Sequence, residues 1–125
     1  RPETYLRSVG SLLDQVPRVA RFSHRVRELI ASELKDGNPS AESAARKLGV
    51  SERTLRRRLH EDGTTYERLL DELRQALAER YLREPKLSID EVALMLGYSE
   101  VGAFRRAFRR WHGMSPAAYR HGPTK

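Results

Sequence analysis

The sequence contains no cysteine, which excludes disulfides, thiolate zinc sites, iron–sulfur clusters and a cysteine nucleophile together. It has no run near the roughly 20 consecutive apolar residues that cross a bilayer, so no membrane partner is expected. No segment alternates with period two over a strand's length. Aromatic residues make up only 7% of the chain and fall mostly on the inward faces of the expected helices, so the stacking platform of an RNA reader is missing. Lysine is scarce too: of 24 cationic residues four are Lys (Lys35, Lys47, Lys86, Lys125) and 20 are Arg. What is present is a basic excess, with 17 acidic residues and a net charge of +7 on 125 residues. A chain of this length forms one domain or two very small ones, and its charge suits an anionic partner. Arginine offers a planar fork that matches phosphate and guanine edges, yet an Arg-rich genome gives the same composition. Placement has to separate the two.

Catalysis finds no support in the residue pattern. His24, His60, His112 and His121 are scattered without metal-ligand spacing, no Gly-rich phosphate cradle occurs, and Ser115 before Pro116 reads as a helix cap rather than a nucleophile. No catalytic residue, metal or cofactor is expected.

Apolar residues recur at the three-and-four spacing of helices throughout, so the fold is expected to be all-α. An amphipathic helix is expected over 3–16 (Tyr5, Leu6, Val9, Leu12, Leu13, Val16), ended by Pro17, and another over 23–35. Helices are then expected over 40–48 and 52–62, with Gly49-Val50-Ser51 as the turn between them. A long helix over 64–84 opens with a Thr64–Glu67 capping box. A Ser88–Glu91 box opens a helix to Leu96, the Gly97-Tyr98-Ser99 turn leads to a helix over 100–112, and Ser115-Pro116 starts a last short one.

Two of these segments repeat. AARKLG at 44–49, followed by Val50-Ser51, matches VALMLG at 92–97, followed by Tyr98-Ser99, at a constant offset of 48. The offset then grows by one, since Leu55 lies four residues after Ser51 and Phe104 five after Ser99. Each copy is helix, Gly-containing turn, helix, the helix-turn-helix plan. Helical geometry, taken from Leu55 inward, turns Leu59 inward and puts Arg53 and Arg57 opposite, with Arg56 and His60 flanking. Taken from Phe104, it turns Phe108 and Trp111 inward and puts Gly102 and Arg106 opposite, with Arg105, Arg109 and Arg110 beside them. Eight of the 20 Arg thus fall in residues 53–58 and 105–110, and without them the rest of the chain is close to balanced. Two equivalent, like-charged faces repel unless an anion justifies them. A duplex fits, because the second helix of such a unit enters a major groove. The connecting helix, 19 residues from Thr65 to Arg83, measures about 28 Å at 1.5 Å per residue, near the roughly 34 Å between successive major grooves.

Residues 40–121 resemble the DNA-binding domain of AraC/XylS-type transcription regulators. The resemblance rests on S-x-x-x-A-A-x-x-L-G-V-S-x-R-T-L-R-R at 40–57, on L-S-I-D-E-V-A-L-M-L-G-Y-S at 87–99, and on F-R-R-A-F-R-R-W-H-G-M-S-P-A-A-Y-R at 104–120. It implies a seven-helix, bacterial-type regulator domain, with helix-turn-helix units at 40–62 and 88–112, a linker helix at 64–84 and a terminal helix at 115–121. The domain as a whole is expected over 21–121. By resemblance the base-reading candidates are Arg53, Arg56 and Arg57 in the first unit, and Glu100, Val101, Gly102, Arg105 and Arg106 in the second. Phosphate candidates are Ser51, His60, Ser99, Arg109 and Arg110. Family members often carry a polar side chain where Gly102 stands, so the first unit is expected to dominate sequence choice.

The expected partner is therefore double-stranded DNA, in the cytoplasm, with contact to RNA polymerase as a family expectation for an activator. The chain starts at Arg1 without Met, which leads us to expect a preceding sensor or dimerisation domain. Residues 1–20 lie outside the resemblance; helix 3–16 reads as the last element of that preceding sensor domain or as a homodimer contact, and equally well as packing on the DNA-binding domain. The competing class is a helical protein-interaction module whose Arg faces grip an acidic partner.

Overall fold

The computed structural model describes residues 18–37 and 39–122, and among these it contains seven helices and no strand. The helix expected over 3–16 lies outside the described residues. The helices are α1 (Arg18–Leu34), α2 (Ala41–Leu48), α3 (Glu52–Glu61), α4 (Tyr66–Leu82), α5 (Ile89–Met95), α6 (Val101–His112) and α7 (Pro116–His121).

Most of these helices begin where a side-chain oxygen meets the first free N–H groups. Ser40, Ser51, Thr65, Ser88 and Ser115 accept from the backbone N–H three residues on. Ser88 and Glu91 form the full reciprocal capping box, and the backbone N–H of Ser88 holds the Glu91 carboxyl below its usual range. The cap expected at Thr64 is displaced by one residue, to Thr65, whose third residue on is Arg68 and not an acidic box partner. Thr65 is the cap of α4, because a helix starting at Tyr66 brings Tyr66 and Leu69 onto the core. Glu67 thereby loses its capping role and is left to pair elsewhere. At α1 the expected start at Ser23 is five residues late. Phe22 extends the stripe of Val26 and Ile30, and Ser23 is buried within the helix, its hydroxyl donating to Asp62 at the end of α3.

Two cores share α4. Phe22, Val26, Ile30 and Leu34 of α1 pack with Ala44, Ala45, Leu55 and Leu59 against Tyr66 and Leu69 at the start of α4. Ala78 and Leu82 near its end pack with Val92, Ala93, Leu96, Phe104 and Phe108. At 17 residues the shared helix spans about 25 Å, slightly shorter than its expected length.

The repeat is visible in backbone detail. Gly49 N–H bonds the Arg46 carbonyl and Val50 N–H the Ala45 carbonyl; Gly97 and Tyr98 repeat both bonds on Leu94 and Ala93. Each turn is thus the same Schellman motif, with Gly49 at φ 73° and Gly97 at φ 83°. The caps of the following helices are Ser51 and Glu100, so the extra residue of the second copy lies between Gly97 and Glu100. A Cβ at Gly49 would meet nothing within 4 Å, so Gly49→Val should cost only left-handed backbone strain, about 1–3 kcal/mol. Thermal unfolding checks this, and an unchanged midpoint would remove the φ requirement.

Candidate nucleic-acid interface

Helix α3 buries Leu55 and Leu59 completely and exposes Arg53, Arg56, Arg57 and His60. Helix α6 buries Phe104 and Phe108 completely and exposes Arg105, Arg106, Arg109 and Arg110, with Val101 and Gly102 half-buried at its start. Both faces therefore point as the helical arithmetic requires. Ser51 and Ser99 are exposed beside the N-terminal ends of the two helices, where free N–H groups favour a phosphate. Ser51 is also the cap of α3, whereas Ser99 lies one residue before the cap of α6.

The exposed arginines differ in what they already hold. Among the described residues, Arg53, Arg105 and Arg109 make no ion pair and are free to engage an anion. Arg57 lies 3.9 Å from Glu61, and Arg110 3.9 Å from Asp71, contacts that solvent screens readily. Arg56 is different. Its Nε donates to Glu52 at 3.0 Å and its two terminal nitrogens donate to the two Glu67 oxygens at 3.1 Å each. The hydrogen bonds from Arg56 hold the Glu67 carboxyl below its usual range, and those to Glu67 and Glu52 raise the guanidinium, so the Arg56–Glu67 pair stays ionised at neutral pH. This fork-to-fork contact ties α3 to the first turn of α4.

In the second unit, Glu100 caps α6 without a side-chain hydrogen bond, and its carboxylate lies 3.5 Å from Arg106. A Cβ on Gly102 would sit 3.3 Å from Glu100 Oε1 and 3.4 Å from Arg106 Nη1. The pair thus runs across the outer face of the helix close to Gly102. Behind α6, Trp111 Nε1 donates to Asp71 at 3.0 Å, and His112 Nε2 lies 2.9 Å from Glu79. Arg120 of α7 donates to the carbonyls of Leu82 and Glu84 at the end of α4.

These supports were not legible in the sequence. Glu67 and Glu79 read as ordinary polar residues of a long helix, and Asp71 and Arg74 lie half-buried on the side of Ala78 and Leu82, yet nothing local indicates a partner 11 to 40 residues away. Among the described residues no group of three His, Asp or Glu could hold a metal ion, and no helix is long and apolar enough to cross a membrane.

Residues 44–122 match a helix-turn-helix domain family, and residues 13–62 match the helix-turn-helix domain of transposase family ISL3. The chain is 46% identical over 99 residues to the ornithine utilization regulator of Pseudomonas aeruginosa, an alignment covering 79% of this chain and 29% of that protein. It thus spans less than a third of that relative. Among solved structures it is similar to a transcriptional regulator of Chromobacterium violaceum described by its AraC-type DNA-binding domain, with TM-score 0.70 and 25% identity over 84% of this chain and 96% of that one. It is also similar to the DNA-binding domain of AdpA, a global transcriptional factor solved in complex with a target DNA. There the TM-score is 0.66 and the identity 34%, over 77% of this chain and 89% of that one.

Proposed function

This chain belongs to the AraC-type helix-turn-helix family, and on that premise we propose that it is the sequence-specific, double-stranded DNA-binding part of a transcription regulator acting in the cytoplasm. The carrying observation is the pair of exposed arginine faces on α3 and α6, equivalent in the repeat and joined by one helix of about 25 Å. With the widths of the flanking helices added, that separation suits adjacent major grooves on one side of a duplex. Protection of two half-sites about one turn apart, on a duplex selected from random sequence, tests the reading; a single protected site would sink it.

Within α3, Arg53, which makes no ion pair among the described residues, and the loosely held Arg57 take the base-reading role, whereas Arg56 braces the helix. In α6 the reading falls to Arg105 and Arg106, with Val101 meeting at most a thymine methyl, and Arg109 and Arg110 serve phosphates. The first unit accordingly carries most of the sequence choice. Arg57→Ala should cost about 1–3 kcal/mol and relax selectivity at one base pair. Arg56→Ala should weaken binding to every sequence alike. Base-by-base scanning of the site with both variants checks the assignment, and a selectivity change confined to Arg56→Ala would reverse it.

A further inference from the structure

Arg74 lies midway along α4, half-buried, and faces the turn of the second unit. Its Nε donates to the Leu96 carbonyl at 2.7 Å and its Nη2 to the Gly97 carbonyl at 3.1 Å. Its guanidinium carbon sits 4.2 Å from the centre of the Tyr98 ring. Carbonyls at a helix C-terminal end have no intrahelical donor, so one side chain caps α5 and stacks on the residue that follows. The same turn also meets α1, which packs in the core of the first unit. A Cβ on Gly97 would lie 3.2 Å from Leu34 Cδ2 and 3.5 Å from Pro39 Cδ, so the backbone runs directly against the end of α1. Linker helix, first unit and second unit therefore meet at one turn.

We propose that Arg74 is a positioning residue that sets the spacing at which the two half-sites are accepted. The second unit is anchored to the C-terminal half of α4 through Ala78 and Leu82. Arg74, one helical turn nearer the N-terminus, stops the unit from rocking about that anchor by clamping the Gly97 turn onto α4 and against Leu34. The rotation of α6 relative to α3 follows from this clamp. One inserted base pair shifts a half-site by about 3.4 Å and turns it by about 35°. A rigid pair of readers cannot follow such a change, and the gain from linked binding is lost when geometry forbids simultaneous engagement. The inference rests on the two-groove reading.

The test measures the affinity of the full chain by fluorescence anisotropy on three duplexes, selected to carry both half-sites at the preferred spacing, one base pair longer and one shorter. Wild type should bind the two altered spacings about 10- to 100-fold more weakly. Arg74→Met should bind the preferred spacing about 5- to 10-fold more weakly than wild type, yet discriminate among the three by less than about 3-fold. A loss of folded protein scales all three affinities alike and leaves their ratio unchanged, so the ratio reports geometry. Arg74→Lys, which keeps the charge and one donor, should fall between, and it carries the same comparison if the Met variant does not fold. Wild-type discrimination retained in full by these variants overturns the role of Arg74. A wild type indifferent to spacing instead overturns the two-groove reading itself.

Discussion

Replacing Phe108 by alanine should remove about 3–5 kcal/mol from the second unit. Its side chain is fully buried, with ring centres 5.8 Å from Phe104, 5.2 Å from Tyr119, 6.1 Å from Trp111 and 4.4 Å from the His112 imidazole. These neighbours come from α6 and α7, and α7 is itself tied to the end of α4 by Arg120. A cavity here therefore loosens the recognition helix, its support and the C-terminal helix together. The effect can be read locally. Trp111 is the single Trp of the chain and belongs to this cluster, so its fluorescence reports unfolding of the second unit. The expected result is a Trp transition at much lower denaturant, while helical signal from the first unit persists to higher concentration. Unchanged Trp unfolding would refute the placement of Phe108 in this core.

Raising salt should abolish most of the affinity for duplex. Each phosphate neutralised contributes a slope of about −0.9 to the plot of log affinity against log salt. With about four to six such contacts the slope is about −4 to −5, and going from about 50 to 200 mM costs roughly 10²- to 10³-fold. The arginines are not equivalent in this measurement. Arg109 makes no ion pair among the described residues, so Arg109→Ala should flatten the slope by about one. Arg56 already faces two carboxylates, so its replacement should leave the slope nearly unchanged. A shallow slope with wild type, or binding to an acidic protein in preference to duplex, would favour the interaction-module reading over the DNA-binding one.

Much of the architecture is written in local signals. Caps at Ser40, Ser51, Ser88 and Ser115, and the glycines at 49 and 97, mark helix ends through hydrogen bonds and φ values that depend on a few neighbouring residues. The inward direction of α3 and α6 follows from helical period alone, because Leu55, Leu59, Phe104 and Phe108 leave one way to bury apolar area. The misplacements arose where two local signals competed. Thr64 and Thr65 can each cap a helix, and burial of Tyr66 chose between them; Ser23 looks like a cap, and Phe22 on the core stripe drew the helix past it.

The sequence by itself thus determined an all-helical chain, a duplicated helix-turn-helix and the concentration of Arg on two matching outer faces, since each follows from spacing along the chain. Only the tertiary structure decided which of those arginines are available. Glu67 of α4 claims Arg56, while among the described residues Arg53, Arg105 and Arg109 make no ion pair. It also decided what holds the two units in register, through Arg74 on the Gly97 turn and Asp71 on Trp111. The physical reason is range. Periodicity and caps act within about one or two turns of helix, whereas a carboxylate or carbonyl partner is chosen by which surfaces the packed cores bring within about 3 Å of each other.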